Sequence, residues 1–282
     1  MSASISKFQP IYETIENEGA SLKVWHQGNG LLVILIPGGG GTGESFNESM
    51  PNLSQHYKVV TYDRRGNGQS TVAKPRILNP MESARDVIAI IKALGYATAS
   101  LFGTSSGGLV ALQLAQSYPE YVESIVVHEV PITSILPEEN IKRVDSGYVV
   151  FQTYMEKGAE AALQLFRSSI TGKPVEPSPS NVFETVQPAP HRLDYFFRYE
   201  FIIFITYTPN LRLIRDCGIP IATVQGLESR GVFHARSAEV QSEILKCLHV
   251  VWPGGHSVYQ TQPEVFSEKL HKTLQTLQGK AE

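Results

Sequence analysis

One serine stands in a setting that could make it a nucleophile. Residues 103–107 are Gly-Thr-Ser-Ser-Gly, a Gly-x-Ser-x-Gly pattern with Ser105 at its centre. Where a strand reverses into a helix within two residues, the middle residue is held in a strained conformation, and small neighbours let the flanking segments approach. The N–H of Ser106 would then lie at the positive end of the helix dipole. Such a turn could stabilise an oxyanion beside a serine nucleophile.

A serine hydroxyl is a poor nucleophile without a base to take its proton. Among eight histidines, His256 is the candidate base, because the Gly-Gly-His loop at 254–256 lies between the last predicted strand and the last predicted helix. In a parallel sheet this loop opens at the same edge as the Ser105 turn. His191 and His234 are considered only as lid residues.

Strands and helices alternate around these residues. The apolar runs at 31–36, 58–62 and 125–127 predict buried strands, and two further strand candidates precede them at 12–15 and 22–26. Asn79, Pro80 and Glu82 predict a capped helix that ends at Gly95. Alternation of this kind favours a mostly parallel sheet with helices on both faces.

The alternation stops after Pro131 and resumes with a predicted strand at 219–225, followed by a helix at 235–245, a strand at 249–252 and a helix from Pro263. We therefore predict an α/β core made of residues 1–131 and 213–282, with a helical cap, or lid, inserted at 132–212. A Pro- and Ser-rich stretch runs from Pro174 to Pro190. Residues 201–207 fit either a strand or a buried helix.

With these motifs in place, nearly all of the chain resembles the α/β-hydrolase superfamily. The matching segments are the glycine-rich loop at 37–41, the Asp63-x-x-Gly-x-Gly-x-Ser turn, the Ser105 turn and the Gly-Gly-His loop. The resemblance implies an α/β-hydrolase fold, with a mostly parallel twisted sheet flanked by helices. It also implies an oxyanion hole made by the N–H groups of Gly39 and Ser106, and no metal or organic cofactor.

The acid of the implied triad departs from the common pattern. The usual family position is three residues after the glycine that ends the penultimate strand, and here Ser229 occupies it, one residue beyond Glu228. Glu129 directly follows the strand at 125–127. A lactone-hydrolysing group typified by zearalenone lactonase places its acid after this strand, and the His-Glu-x-Pro segment at 128–131 is similar to that group. We predict Glu129 as the acid, with Glu228 as the alternative.

A different class of protein also has to be weighed. Gly38-x-Gly40-x-x-Gly43 follows a strand, and Asp63 comes 20 residues after Gly43, which is typical of an NAD-dependent oxidoreductase. Two predicted strands precede the loop, however, and this interpretation leaves Ser105 and His256 without a role. A non-catalytic small-molecule-binding protein on a hydrolase scaffold is a further alternative.

Composition and charge argue against other classes of protein, such as nucleic-acid-binding and membrane proteins. The chain has 282 residues, 42% of them apolar and 18% charged, and a formal net charge of −3. The absence of a basic stripe argues against nucleic acid as a partner. We expect no membrane span or signal peptide, and two cysteines favour a reduced cytoplasmic location. The sequence is also compatible with a homodimer.

The nucleophile narrows the expected chemistry to acyl transfer. The predicted lid carries many aromatic residues and few charges, which favours an apolar, cyclic or aromatic substrate. We expect a serine esterase or lactonase, and a C–C (β-diketone) hydrolase on the same triad is the alternative reaction. The aromatic lid residues considered are Tyr148, Phe151, Tyr154, Phe166, Tyr195, Phe196, Phe197, Tyr199, Phe201, Phe204 and Tyr207.

Overall fold

One twisted sheet organises the protein. The computed structural model describes residues 7–171 and 190–279, and within them nine strands form a single sheet. The strands are β1 (Ile11–Asn17), β2 (Ala20–Gln27), β3 (Leu32–Ile36), β4 (Lys58–Tyr62), β5 (Thr71–Val72), β6 (Ala99–Thr104), β7 (Val122–His128), β8 (Ile221–Gly226) and β9 (Leu248–Trp252).

The order of the strands across the sheet places the candidate residues at one edge. The order is β1-β2-β4-β3-β6-β7-β8-β9, with β5 paired to β2. From β4 to β9 all neighbours are parallel, whereas β1, β2 and β5 pair antiparallel. Thr104 pairs with His128, and Gly226 pairs with Trp252. The carboxyl ends of β6, β7, β8 and β9 therefore lie side by side.

Helices cover both faces of the sheet. Every residue of the central strands β3, β6 and β8 is therefore buried. Helices α1 and α11 pack on one face, and α2, α3 and α9 pack on the other. The helices are α1 (Met50–Leu53), α2 (Pro80–Ala93), α3 (Ser106–Ser117), α4 (Pro137–Lys157), α5 (Ala159–Thr171), α6 (Pro190–Tyr195), α7 (Phe201–Thr206), α8 (Leu211–Asp216), α9 (Phe233–Leu245), α10 (Val258–Thr261) and α11 (Pro263–Leu277).

The N-terminal capping residue predicted for α2 is present. The side-chain oxygen of Asn79 accepts a hydrogen bond of 3.0 Å from the N–H of Met81, and Pro80 is the first helical residue. This arrangement satisfies an N–H group that the first helical turn leaves unpaired.

The expected α/β-hydrolase architecture, a mostly parallel sheet with helices on both faces, is confirmed.

The segment between β7 and β8 is helical where it is described. Five helices, α4 to α8, and a π-helical turn at Phe196–Glu200 occupy it. Residues 201–207, which the sequence left open, form α7 as far as Thr206. Of the predicted Pro- and Ser-rich stretch at 174–190, residues 174–189 lie outside the described residues. Among the helices that are described, none is both long and apolar enough to cross a membrane.

Candidate active site

The Ser105 turn is as sharp as the glycine pattern predicts. Strand β6 ends at Thr104 and α3 begins at Ser106, so Ser105 alone makes the reversal, with φ 52° and ψ −127°. A Cβ atom on Gly103 would lie 2.6 Å from the carbonyl oxygen of Gly107, and one on Gly107 would lie 2.3 Å from a carbonyl oxygen of β3. The flanking glycines are therefore required by close backbone contacts, and the strained serine is held at the strand end.

Glu129 occupies a matching position at the end of β7. It also has a positive φ, 48°, and its backbone N–H donates to the carbonyl oxygen of Val224 at 3.0 Å. The backbone N–H of Ser105 donates to the carbonyl oxygen of His128 at 2.9 Å. Hydrogen bonds across three neighbouring strands thus fix Ser105 and Glu129 relative to each other.

The Glu129 carboxylate lies against His256. Its Oε2 atom is 2.7 Å from His256 Nδ1, and its Oε1 atom accepts a hydrogen bond of 2.8 Å from the N–H of Gly226. Burial of this fully buried carboxyl group would raise its pKa, but its contacts with His234 and His256 outweigh burial and hold the pKa below its usual range. Glu129 is therefore ionised and can hold the imidazole ring in one tautomer.

His234 is a second histidine on the same carboxylate. Its Nε2 atom lies 3.2 Å from Glu129 Oε2, and its ring centroid is 4.4 Å from that of His256. Burial and the neighbouring His256 lower the pKa of His234, against the pull of Glu129, so His234 is neutral. The expectation that His234 is at most a lid residue is wrong, because it lies in the first turn of α9. The side chain of His191 lies outside the described part of the chain.

The other carboxylate that the sequence offered faces away from the protein interior. Glu228 is exposed, and its backbone N–H donates to the carbonyl oxygen of Gly254 at 2.9 Å. Ser229, at the usual family position, is buried. Of the two candidates, Glu129 is the one whose carboxylate lies within hydrogen-bonding distance of His256.

The same cluster is also the one set of side chains in the described residues with the donors and spacing of a metal site. Glu129, His234 and His256 place one potential ligand atom each within 4.8 Å of one another. Here, however, the 2.7 Å separation of Oε2 and Nδ1 is that of a hydrogen bond. The chemistry of the cluster as it stands is that of an imidazole oriented by a carboxylate.

A cavity of about 130 Å³ lies above the strand ends. Ser105, His256 and the backbone of Gly39 and Ser106 line it on the side of the sheet. Apolar side chains of the segment between β7 and β8 line the opposite side. These are Val150, Leu163, Phe166, Leu193, Phe196, Phe201, Phe204 and Ile205.

Only part of the predicted aromatic surface faces this cavity. Tyr148 is exposed, whereas Tyr154 and Phe197 are buried and stack on each other with ring centroids 5.6 Å apart. Four lining residues outside the sequence prediction are Phe233, Tyr259, Arg143 and Arg167. The guanidinium of Arg143 stacks over the Phe233 ring, 4.1 Å from its centroid. The cavity is therefore apolar with a cationic part.

Asp63 does not fit the dinucleotide-binding interpretation. Its side chain is buried, and its two carboxylate oxygens accept hydrogen bonds from the N–H groups of Gly43 and Gln69, at 3.0 and 2.7 Å. An acidic residue that binds a ribose must instead face the cofactor. Asp63 ties the glycine-rich loop to the turn that follows β4.

Comparison with known proteins identifies the fold. The model of the alpha/beta hydrolase fold family matches residues 32–261. The uncharacterized hydrolase YraK of Bacillus subtilis (strain 168) is 26% identical over 272 residues, which cover 93% of this chain and 95% of that protein.

Two solved structures illustrate the likeness in fold. A thermophilic esterase from Thermogutta terrifontis has a TM-score of 0.72 at 20% identity, covering 95% of this chain and 99% of that one. Est816, described as an N-acyl homoserine lactone degrading enzyme, has a TM-score of 0.65 at 21% identity, covering 92% and 99%. Since the family model spans most of the sequence and both structures share its fold, the chain belongs to the alpha/beta hydrolase fold family.

Proposed function

We propose that the protein is a serine hydrolase that cleaves a carboxylic ester or lactone through an acyl-enzyme intermediate. The observation that carries this proposal is the shared cavity, which is lined by the strained Ser105 and by His256, whose ring is bonded to the buried Glu129. Because Nδ1 of His256 faces Glu129, Nε2 is the nitrogen left to take the proton of the serine hydroxyl. Ser105 is the nucleophile, His256 the base and Glu129 the residue that orients the base.

The reaction follows from these roles. The Ser105 oxygen attacks the ester carbonyl while His256 accepts its proton, and the N–H groups of Gly39 and Ser106 stabilise the oxyanion. Collapse of the tetrahedral intermediate breaks the C–O bond, and the leaving alkoxide takes the proton from His256. Water then attacks the acyl-enzyme, and the same histidine accepts a proton from the water and returns it to Ser105.

The cavity favours a particular kind of substrate. Five phenylalanine rings and several aliphatic side chains line the cavity that contains Ser105, so an apolar acyl or alcohol part gains the most from burial. The similarity of 128–131 to the zearalenone-lactonase group and the likeness in fold to Est816, a lactone-degrading enzyme, both support a lactone as the substrate. We also propose that residues 132–212 act as a cap over this cavity.

A panel of aryl esters and of aromatic and aliphatic lactones tests the proposal. Wild-type protein is expected to hydrolyse at least one class, and Ser105→Ala should lose several orders of magnitude in kcat with its fold intact. Ser100→Ala is the matched control, because this serine of β6 is buried and bonded to Ser124. Cleavage of β-diketones alone, or full turnover by Ser105→Ala, would contradict the proposal.

A further inference from the structure

The carbonyl oxygen of Gly38 is held by two donors. It accepts hydrogen bonds from the backbone N–H of Gly41, at 3.0 Å, and from Nη2 of Arg64, at 3.1 Å. In a trans peptide the C=O of one residue and the N–H of the next point in opposite directions. Fixing the Gly38 oxygen therefore fixes the direction of the Gly39 N–H, which is the proposed oxyanion donor.

Arg64 is itself fixed by a residue from the segment between β7 and β8. Its Nη1 and Nη2 atoms lie 2.9 and 3.0 Å from the two carboxylate oxygens of Glu200, in the π-helical turn. Nδ2 of Asn67 donates to the same carboxylate at 2.9 Å. The side chains of Arg64 and Glu200 are 2% and 1% exposed. A buried pair bonded at two points has one well-defined geometry.

The peptide that Arg64 holds lies in a run of glycines, which restrain the backbone little by themselves. Residues 38–41 are four successive glycines, and glycine restricts its backbone less than any other residue. The Gly41 N–H gives a second restraint, because the carbonyl oxygen of Gly41 accepts a hydrogen bond of 2.8 Å from the backbone N–H of Arg64. The side chain of Arg64 connects the Gly38 oxygen directly to the buried Glu200.

We propose that Arg64, held in place by Glu200, is a positioning residue for the oxyanion hole. The inference rests on the proposed function, since it takes the Gly39 N–H to be an oxyanion donor. It adds that the segment between β7 and β8 contributes to transition-state stabilisation through Glu200, as well as lining the cavity. Loss of one oxyanion donor costs about a hundredfold to a thousandfold in kcat. Because Gly41 still restrains the loop, we expect a loss of roughly ten- to a hundredfold.

The neighbouring Arg65 provides a matched control. Its Nε and Nη2 atoms each donate to Asp86 at 2.7 Å, and both side chains are buried. This second pair belongs to the same turn after β4 but is bonded to α2 instead of the glycine run. Removing it tests the effect of losing a buried ion pair without releasing the Gly38 oxygen.

The experiment compares two double variants, Arg64→Met/Glu200→Leu and Arg65→Met/Asp86→Leu. Replacing both members of a buried pair leaves neither partner unpaired, and Glu82, which lies 3.6 Å from Arg65, keeps its contact with Arg76, so folding is expected to survive. Arg64→Lys is a further variant, which keeps the positive charge beside Glu200 but loses the forked set of donors. Each is assayed for kcat, for KM, and for inhibition by a trifluoromethyl ketone that forms a tetrahedral adduct with serine.

Arg64→Met/Glu200→Leu and Arg64→Lys should lower kcat roughly ten- to a hundredfold and weaken the ketone by a similar factor, with KM changed less than about threefold. The Arg65 double variant should keep kcat within about threefold. Equal losses in the Arg64 and Arg65 double variants, or wild-type kcat in Arg64→Lys, would overturn the inference. Wild-type protein that cleaves no ester or lactone would instead overturn the proposed function on which it rests.

Discussion

The ends of β7 and β8 lie side by side, and each is followed by a carboxylate that the sequence proposes as the partner of His256. After β7 the chain buries Glu129 completely, with a positive φ and with donors on both oxygens. After β8 the chain turns outward, and Glu228 is exposed. The end of β8 contributes the N–H of Gly226 to Glu129 rather than an acid of its own. The two carboxylates thus differ in their burial and in the hydrogen bonds that surrounding groups donate to them.

Gly226 shows why the two ends are complementary. A Cβ atom there would lie 2.7 Å from the carbonyl oxygen of Gly254 and 3.1 Å from Oε1 of Glu129. A larger residue would therefore push the carboxylate away or displace the loop that carries His256. The glycine that ends β8 makes room for the acid that follows β7.

Exchanging the acid of β7 should have the largest effect. Glu129→Gln keeps the shape of the side chain, but its uncharged amide cannot stabilise the imidazolium and favours the wrong tautomer of His256. By analogy with other triad acids we expect kcat to fall roughly a thousandfold or more. Steady-state kinetics, with circular dichroism as the control for folding, measures this. Activity within tenfold of wild type would mean that the orienting acid is elsewhere.

Titratable side chains lie close together at the end of β7, and they should make the stability of the folded protein sensitive to acid. Burial lowers the pKa of His128 to about 4, from an ordinary value of 6.5. Between these values the unfolded chain binds the proton that the folded protein resists. Stability is therefore complete above about pH 6.5 and is lost as the pH falls toward 4. A tenfold change in proton affinity corresponds to about 1.4 kcal/mol, so the full loss is roughly 3 kcal/mol.

Urea unfolding of wild type and His128→Asn at pH 7 and pH 5 measures part of this loss, because pH 5 is still above the pKa of about 4 that His128 has in the folded protein. Wild type should lose stability over the interval, and the variant should lose less, although burial of His234 contributes in the same direction. Equal losses in the two proteins would show that His128 is not the group responsible.

Substitution of His234, the second imidazole beside Glu129, should have an intermediate effect on kcat. His234→Phe keeps an aromatic ring but removes the Nε2 group beside Oε2, and a hydrogen bond to a charged group is worth about 1.5–3 kcal/mol. We expect kcat to fall about tenfold, since about 1.4 kcal/mol corresponds to a factor of ten. His234→Gln, which retains an N–H donor, should recover part of this loss. No difference between the two variants would indicate a role in packing alone.

The smallest effect is expected at the end of β8. Glu228→Gln changes an exposed carboxylate that has no bond to His256 among the described contacts. Its kcat should stay within about tenfold of wild type, as for a surface charge. A loss as large as that of Glu129→Gln would reverse the comparison between the two strand ends.

The sequence was most informative where local patterns decide the structure. Uniform apolar runs predicted the buried strands β3 and β4, and the Asn79 cap predicted α2. Strand β5 was missed because two residues, Thr71 and Val72, carry no periodicity. Residues 201–207 could not be assigned because a short apolar run fits a strand or a buried helix equally well.

The site was predictable in part for the same reason. Ser105 and His256 stand in local motifs, and Glu129 was suggested by a resemblance. His234, Arg64 and Glu200 gave no such signal, because their contacts join elements far apart in the chain. A buried Arg–Glu pair separated by 136 residues is a property of the packed structure. Such contacts follow from the fold and not from spacing.

Covalent labelling tests the central claim most directly. A fluorophosphonate reacts with an activated serine, so mass spectrometry of peptides after labelling identifies the nucleophile, and the rate of labelling reports how well it is activated. We expect the adduct on Ser105 in wild type and in Glu228→Gln at similar rates, much slower labelling in Glu129→Gln, and none in Ser105→Ala. An adduct on another residue, or equal rates in Glu129→Gln and wild type, would contradict a Ser105 nucleophile activated through His256 and Glu129.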